Sequence, residues 1–399
     1  MKKESVLSQP TQTVYPILAA VCMGHFFNDL MQSVLPASYP LLKESYQLSY
    51  AQIGFITFAF QITSSLLQPF VGTFTDKKPQ PYSFTAGMFF AFSGITLLAF
   101  AWNFASILCA ASLIGLGSSI FHPEASRVAY YASGGRRGFA QSIFQLGGNG
   151  GTAIGPLLIA FIVFPLGQKS IALFVIFALI GASVLWRVSK WYQKYLQQST
   201  FKKNAYNEQS QGLSKARIWI SIIILLVLIF SKYFFTASIS SYYVFYLEER
   251  FGLSETESQI HLFLYLIAFT VGTLVGGPLG DKIGRKKIIW FSILGAAPFS
   301  LALPYVNLFW TSAFIVCAGA ILASAFSSIL VYAQELLPGR IGMVSGLFYG
   351  FAFGMGGLGS AILGKLIDQT SITYVYYLCS YLPLIGCIAV FLPNIKKPK

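Results

Sequence analysis

Between Tyr15 and Pro36 the chain is apolar enough to enter a bilayer, yet it carries His25, Asn28, Asp29 and Gln32. Steps of three and four put all four on one face of a helix. An imidazole one turn from a carboxylate can take up a proton and hand it on. The histidine titrates near neutrality when unperturbed, and desolvation favours a carboxylate's neutral form. The pattern predicts proton coupling at His25 and Asp29, with Asn28 and Gln32 as hydrogen-bonding groups for a polar substrate. A packing cluster that only fixes helix contacts is the competing reading, and both stay open on sequence alone.

Further polar groups sit in other apolar stretches. In "FHPEASRVA", Glu124 and Arg127 are three apart and can pair on one face, while Pro123 removes a backbone donor and invites a kink. Glu124 is thus a second candidate acid for proton coupling, against a structural ion pair with Arg127. His122 points elsewhere and is a candidate substrate contact. Gln141, Gln145 and Asn149, spaced by four, form a stripe suited to hydrogen-bonding a substrate. Lys232 is the one base deep in an apolar stretch, with Tyr233 beside it and Tyr242, Tyr243 and Tyr246 beyond. It suits an anionic substrate, or a pairing with Asp29. His261 reads as a satisfied interior histidine.

These residues need elements that hold them in a membrane. The 399 residues are 55% hydrophobic and 10% charged, against roughly a quarter charged in soluble proteins. Charge gathers in short patches between twelve apolar stretches: 15–36, 51–71, 82–101, 104–127, 139–164, 170–188, 218–247, 258–279, 288–306, 309–331, 342–364 and 373–392. About 20 residues suffice to cross the hydrocarbon core. The fold class expected is all-α integral membrane, with twelve transmembrane helices in two pseudo-symmetric six-helix halves. The first stretch follows a polar lead without a small-residue cleavage site and reads as a retained helix. The net charge of +14 would suit nucleic acid, but its placement argues otherwise. With the N-terminus inside, inner segments collect 22 of the 27 lysines and arginines, the positive-inside bias of a membrane protein. Both termini are then cytoplasmic, and no nucleic-acid partner is expected. Cys22, Cys109, Cys317, Cys379 and Cys387 all fall in apolar stretches without metal-ligand spacing, so no disulfide, metal or cofactor is expected.

The polar stretch 188–217 divides the chain into halves, 1–187 and 218–399. "YQLSYAQIGFITFAFQITSSLLQPFVGTFTDKK" and "FGLSETESQIHLFLYLIAFTVGTLVGGPLGDKI" align at a constant offset of 205, matching Leu48 with Leu253, Ser49 with Ser254, Gly72 with Gly277 and Asp76 with Asp281. Parallel repeats of this kind place a substrate site near mid-membrane. The second copy, "GPLGDKIGRKK", resembles the loop signature between the second and third helices of each half in the major facilitator superfamily. It supplies Gly277, Asp281, Lys282, Gly284, Arg285 and Lys286 as candidate gating residues. The first copy keeps Gly72, Asp76 and Lys77 but has Pro79, Gln80 and Pro81 where glycine and bases belong. A weaker latch is expected there, and Arg127 is counted among the gating candidates. In "FQLGGNGGTAIGPLL", Gly147, Gly151 and Gly155 lie four apart, followed by Pro156. Small residues at that spacing form a flat face for close helix packing. The "GTAIGP" part resembles the core of a signature found in exchangers of the superfamily.

These segments, with "HFFNDLMQSVLPASYPLLKESYQLSYAQIGF", "FHPEASRVA" and "GGRRGFAQSIFQLGG", resemble the fosmidomycin resistance protein group of that superfamily, most strongly over the first half. The resemblance implies a monomeric exporter in the bacterial inner membrane, driven by proton exchange, with the anionic phosphonate fosmidomycin as one type of substrate. A proton-coupled nutrient importer of the same fold is the alternative. An intramembrane enzyme is a third reading, but no H-E-x-x-H or G-x-S-x-G supports it.

Overall fold

The structure, a computed structural model, describes residues 12–48, 50–198 and 213–395. Residues 199–212 of the polar divider lie outside the described residues, as do Lys2, Lys3, Lys202, Lys203, Lys396, Lys397 and Lys399 of the basic set. Regular structure is helical, and among the described residues there is no strand. All twelve apolar stretches fall on helix. Among the described residues, nine of these are long and apolar enough to cross a membrane, and Ser83–Ala99 is apolar but shorter. The other two are the helices whose apolar run is interrupted by the polar face of Asp29 and by the glutamine–glycine stripe.

Contacts divide the chain into two units. The first holds α1 (Tyr15–Ala37), α2 (Tyr39–Ser45), α3 (Tyr50–Ser65), α4 (Gln68–Lys77), α5 (Ser83–Ala99), α6 (Phe104–Tyr131), α7 (Arg137–Leu158), α8 (Phe164–Leu166) and α9 (Val175–Gln198). A π-helical turn, Ile159–Val163, joins α7 to α8, and a 3-10 segment, Gln168–Phe174, leads into α9. Leu337–Gly350 belongs to this unit as well, although it stands in the second half of the sequence. The second unit holds α10 (Lys215–Phe251), α11 (Glu255–Ile283), α12 (Arg285–Leu294), α13 (Ala297–Ala302), α14 (Leu308–Ala323), α15 (Ala325–Leu336), α16 (Ile341–Gln369) from Phe351 onward, α17 (Ile372–Ser380) and a closing 3-10 segment, Leu382–Phe391.

Local chemistry sets these boundaries. At the start of α6, Asn103 Oδ1 accepts from the Ser106 amide at 2.8 Å, while Ser106 Oγ accepts from the Asn103 amide at 3.1 Å. Ser254 and Glu257 form the same reciprocal cap on α11. Bonds from Ser254 to the Glu257 carboxylate hold that exposed carboxyl below its ordinary range. Gly252 and Gly284 take left-handed or open backbone, with φ of 66° and 102°, where α10 and α11 end. Pro123 does not interrupt α6, which runs through it.

Helix contact in the first unit depends on glycine. A Cβ at Gly147 would overlap the Cys22 carbonyl of α1, and one at Gly151 the Phe26 carbonyl. One at Gly155 would meet the Ser33 hydroxyl. α1 and α7 therefore touch nearly backbone to backbone, as small-residue faces allow. Pro156 continues α7, but its side chain lies outside the described residues.

Candidate functional site

The close approach of α7 to α1 sets the polar face of α1 against Phe144 and Gly148. His25 is buried, and its ring stacks on Phe144 at 4.0 Å between centroids. Its Nδ1–H donates to the Phe144 carbonyl at 2.7 Å. Nε2 then faces Asp29 Oδ2 at 3.1 Å. From α6, His122 approaches the same carboxylate, with Nε2 3.5 Å from Asp29 Oδ1. Its Nδ1 is 3.0 Å from the Ser118 carbonyl, an acceptor only, so Nδ1 carries the proton there too. Asn28 and Gln32 donate to Asp29 Oδ1 at 2.9 and 2.8 Å.

The chemistry follows from the donor count. Both imidazoles commit Nδ1–H to a carbonyl, so a neutral ring presents a lone pair at Nε2. Two lone pairs and a carboxylate facing one another repel, and out of water that repulsion is poorly screened. A proton on Nε2, or on the carboxylate, turns each contact into a hydrogen bond, strong where it is charge-assisted. The three groups lie within 4.8 Å of one another, a spacing that admits a metal ion as well as protons. Sequence spacing gave no hint of that set, because His122 comes from another helix.

Around this cluster, Gln145 Oε1 accepts from the Tyr349 hydroxyl at 2.8 Å, and the Tyr349 ring lies 5.2 Å from His122. Gln141 is committed elsewhere: its Nε2 donates to the Ser126 carbonyl at 2.9 Å and its Oε1 accepts from Ser126 Oγ at 3.2 Å. Asn149 is half-buried on the same helix. The proposed glutamine stripe is thus partly a set of helix-to-helix bonds.

Glu124 is not in the Asp29 cluster. It pairs with Arg127 one turn on. Both are fully buried, and Arg127 also reaches Asp76 at 2.7 Å, Thr75 Oγ1 at 3.0 Å and the Gly72 carbonyl at 3.2 Å. Asp76 in turn accepts from the Gly342 amide at 2.9 Å and the Met343 amide at 2.8 Å, at the start of α16. A carboxylate there meets the exposed amides and partial positive charge of a helix N-terminus. Gly72 lets that helix close in, since a Cβ on it would overlap the Gly342 carbonyl. The first-copy loop, expected to be the weaker latch for want of bases, takes its base from α6. Lys77 is exposed and belongs to the loop surface.

In the second unit Asp281 bonds to Arg285 at 2.8 Å, and Arg285 makes two bonds of 2.9 Å to Glu335 of α15. Gly284 supplies the turn between them, Gly277 is buried, Lys282 is exposed, and Lys286 donates to the Val390 carbonyl at 2.8 Å. The two copies thus reach a similar acid–arginine–acid group by different routes. Lys232 is 1% exposed. Its Nζ lies 5.5 Å from the Tyr233 ring and 5.3 Å from those of Phe269 and Phe326, and no carboxylate pairs with it among the described residues. His261 bonds to Ser312 at 2.8 Å. Sequence reasoning missed Gly148, Tyr349 and Glu335. The only available signal was the doubled glycine of "GGNGG".

The Major Facilitator Superfamily model matches residues 21–239 and again 224–399. The chain is 56% identical over 383 residues to the fosmidomycin resistance protein of Escherichia coli (strain K12), covering 96% of this chain and 94% of that one. It is 40% identical to the uncharacterized MFS-type transporter YfnC of Bacillus subtilis (strain 168), covering 99% and 97%. Among solved structures, the human organic anion transporter MFSD10 aligns with a TM-score of 0.77 at 13% identity over 97% of this chain and 100% of that one. The transporter FucP aligns at 0.73 and 17%, over 94% and 98%. Identities so low show the fold alone. A helical chain with two matches to one family model, and a relative so similar over nearly its whole length, belongs to the Major Facilitator Superfamily and is a multi-pass membrane transporter.

Proposed function

We propose that this transporter exports a small anionic or amphipathic compound in exchange for protons, from the bacterial inner membrane, as a monomer with both termini in the cytoplasm. The observation that carries the reading is the convergence of His25, His122 and Asp29, whose facing lone pairs bound protons would reconcile. Loading the cluster stabilises its packed arrangement, and unloading it favours separation of α1 from α6. A cycle that exposes the cluster to each side in turn would move protons down their gradient. In this reading His122 belongs with Asp29 and His25 in proton coupling, while Glu124 serves the latch of Arg127 and Asp76.

Lys232, buried with no counter-ion among the described residues, supports the choice of an anion, because an oxyanion would offset the cost of desolvating it. The E. coli relative is named for fosmidomycin resistance, so fosmidomycin is the first compound to test. Asp76 and Arg127 in one unit, with Asp281, Arg285 and Glu335 in the other, act as gating pairs that hold one state and open in the other.

The experiment is accumulation of fosmidomycin by a sensitive bacterium, with and without expression of the protein and with and without a protonophore. Lower accumulation that the protonophore restores is the expected result. Asp29→Asn, at equal expression, should return accumulation to the level of cells without the transporter. Coupled export at the wild-type rate in that variant would remove Asp29 from the mechanism, and raised accumulation would reverse the direction. Insensitivity to chelators separates proton loading from metal binding at the same cluster.

A further inference from the structure

The second unit carries a groove that the transport reading does not use. It runs along the end of α11, the start of α12 and the closing segment of the chain. Leu279, Ile283, Ile288, Trp290, Phe291 and Val390 line it, enclosing about 680 Å3. At one end it shares Ile283, Lys286, Lys287 and Asn394 with a smaller basin of about 140 Å3, walled by Arg285, Tyr332 and Glu335. An apolar trough therefore opens into a polar, basic hollow.

The charges in the hollow do not cancel. Arg285 is committed to two carboxylates, Asp281 and Glu335. Tyr332 donates its hydroxyl to the Pro393 carbonyl at 2.5 Å. Among the described residues Lys286 meets only a neutral acceptor, the Val390 carbonyl, and Lys287 is exposed. Arg285 answers one of the two carboxylate charges, so with Lys286 and Lys287 counted the group keeps a surplus of one positive charge, carried by the ammonium groups at the mouth of the trough. The first amides of α12 start there too, and Gly284 before them has no side chain to cap them.

We propose that trough and hollow together bind an anionic diacyl phospholipid, with one acyl chain in the trough and the phosphate between Lys286, Lys287 and the start of α12. In a membrane-spanning chain the trough faces acyl chains as its solvent, so filling it selects no particular lipid. Selection comes from the two lysines: a zwitterionic headgroup leaves them uncompensated and an anionic one does not. A free phosphate would satisfy the hollow but gain nothing from Trp290, Phe291 and Ile283. The lipid is a ligand distinct from the transported compound, although the hollow shares Arg285 and Glu335 with the proposed gate.

The test uses the full-length protein in neutral detergent micelles, titrated with brominated phosphatidylglycerol or brominated phosphatidylcholine. The bromine-quenched signal of Trp290 is taken as wild type minus Trp290→Phe. Phosphatidylglycerol is expected to quench it at a several-fold lower mole fraction than phosphatidylcholine. Lys287→Gln should raise that midpoint about fivefold, the effect of one base beside an anionic membrane surface, and Lys287→Arg should restore it. Size-exclusion profiles identify any variant that has lost its fold. Equal midpoints for the two lipids, or no change in Lys287→Gln, would overturn the proposal. Displacement of the brominated lipid by millimolar inorganic phosphate would show a free-anion site and overturn the lipid assignment.

Discussion

At the scale of single residues, the site turns on one glycine as much as on its titratable groups. A Cβ at Gly148 would overlap the ring of His25 and lie 2.7 Å from Asp29 Oδ2. Alanine inside a helix is otherwise favoured over glycine by about 1 kcal/mol, so local propensity alone would make Gly148→Ala stabilising. We expect instead that it lowers proton-coupled transport at least about tenfold, because a shift of the imidazole by even a few tenths of an ångström disturbs the contact through which the proposed coupling passes a proton. Initial rates in proteoliposomes under an imposed pH gradient, at matched protein content, measure this. A wild-type rate would mean that His25 is free to move and the contact is not used. His25 and Asp29 were legible together because a step of four on one helix fixes their proximity. His122 was legible only as a polar residue, because nothing local says that α6 turns it toward α1. Gly148 was invisible as a functional position, since its contribution is an absent side chain.

At the scale of elements, neighbouring glycines on α7 make opposite predictions. A Cβ at Gly151 would overlap the Phe26 carbonyl and lie 2.9 Å from the Leu30 amide, backbone that cannot give way. At Gly150 a Cβ would find the Phe26 ring at 3.5 Å, an ordinary van der Waals contact. Gly151→Ala should therefore destabilise by about 1–3 kcal/mol, the usual cost of overpacking. Gly150→Ala should be neutral or slightly stabilising. Thermal unfolding midpoints in one detergent compare the two, and equal effects would show that α1 and α7 are not held at backbone contact. The every-fourth-glycine pattern made the packing face readable, since periodicity survives without knowledge of the partner. The latch was read less well. Lacking bases, the first-copy loop suggested a weak contact, but Asp76 finds Arg127 and two amides of α16. Partners 51 and more residues away belong to tertiary packing, which no loop signature encodes.

At the scale of the whole molecule, length, hydropathy and repeat were enough to give an all-helical membrane chain, because crossing a bilayer leaves few alternatives to the helix. The sequence did not show that Leu337–Gly350 packs with the first unit. That grouping rests on glycine contacts such as Gly346 against the Gln68 carbonyl, which hydropathy cannot register. Orientation is the remaining global property, and the proposal for it rests on charge alone: basic segments, held back by the membrane potential and anionic lipid, are expected on the cytoplasmic side. Two loops one helix apart test it. Gln80, between α4 and α5, and Trp102, between α5 and α6, are both exposed. With native cysteines replaced by serine, Trp102→Cys should react with a membrane-impermeant maleimide on intact cells. Gln80→Cys should react only after the membrane is opened. The reverse pattern would overturn the charge-based topology and place the loops after α1 and α5 inside, so that protons entering from outside would meet the Asp29 cluster from the opposite face, while the exchange proposed here, driven by the proton gradient, would still carry the compound outward.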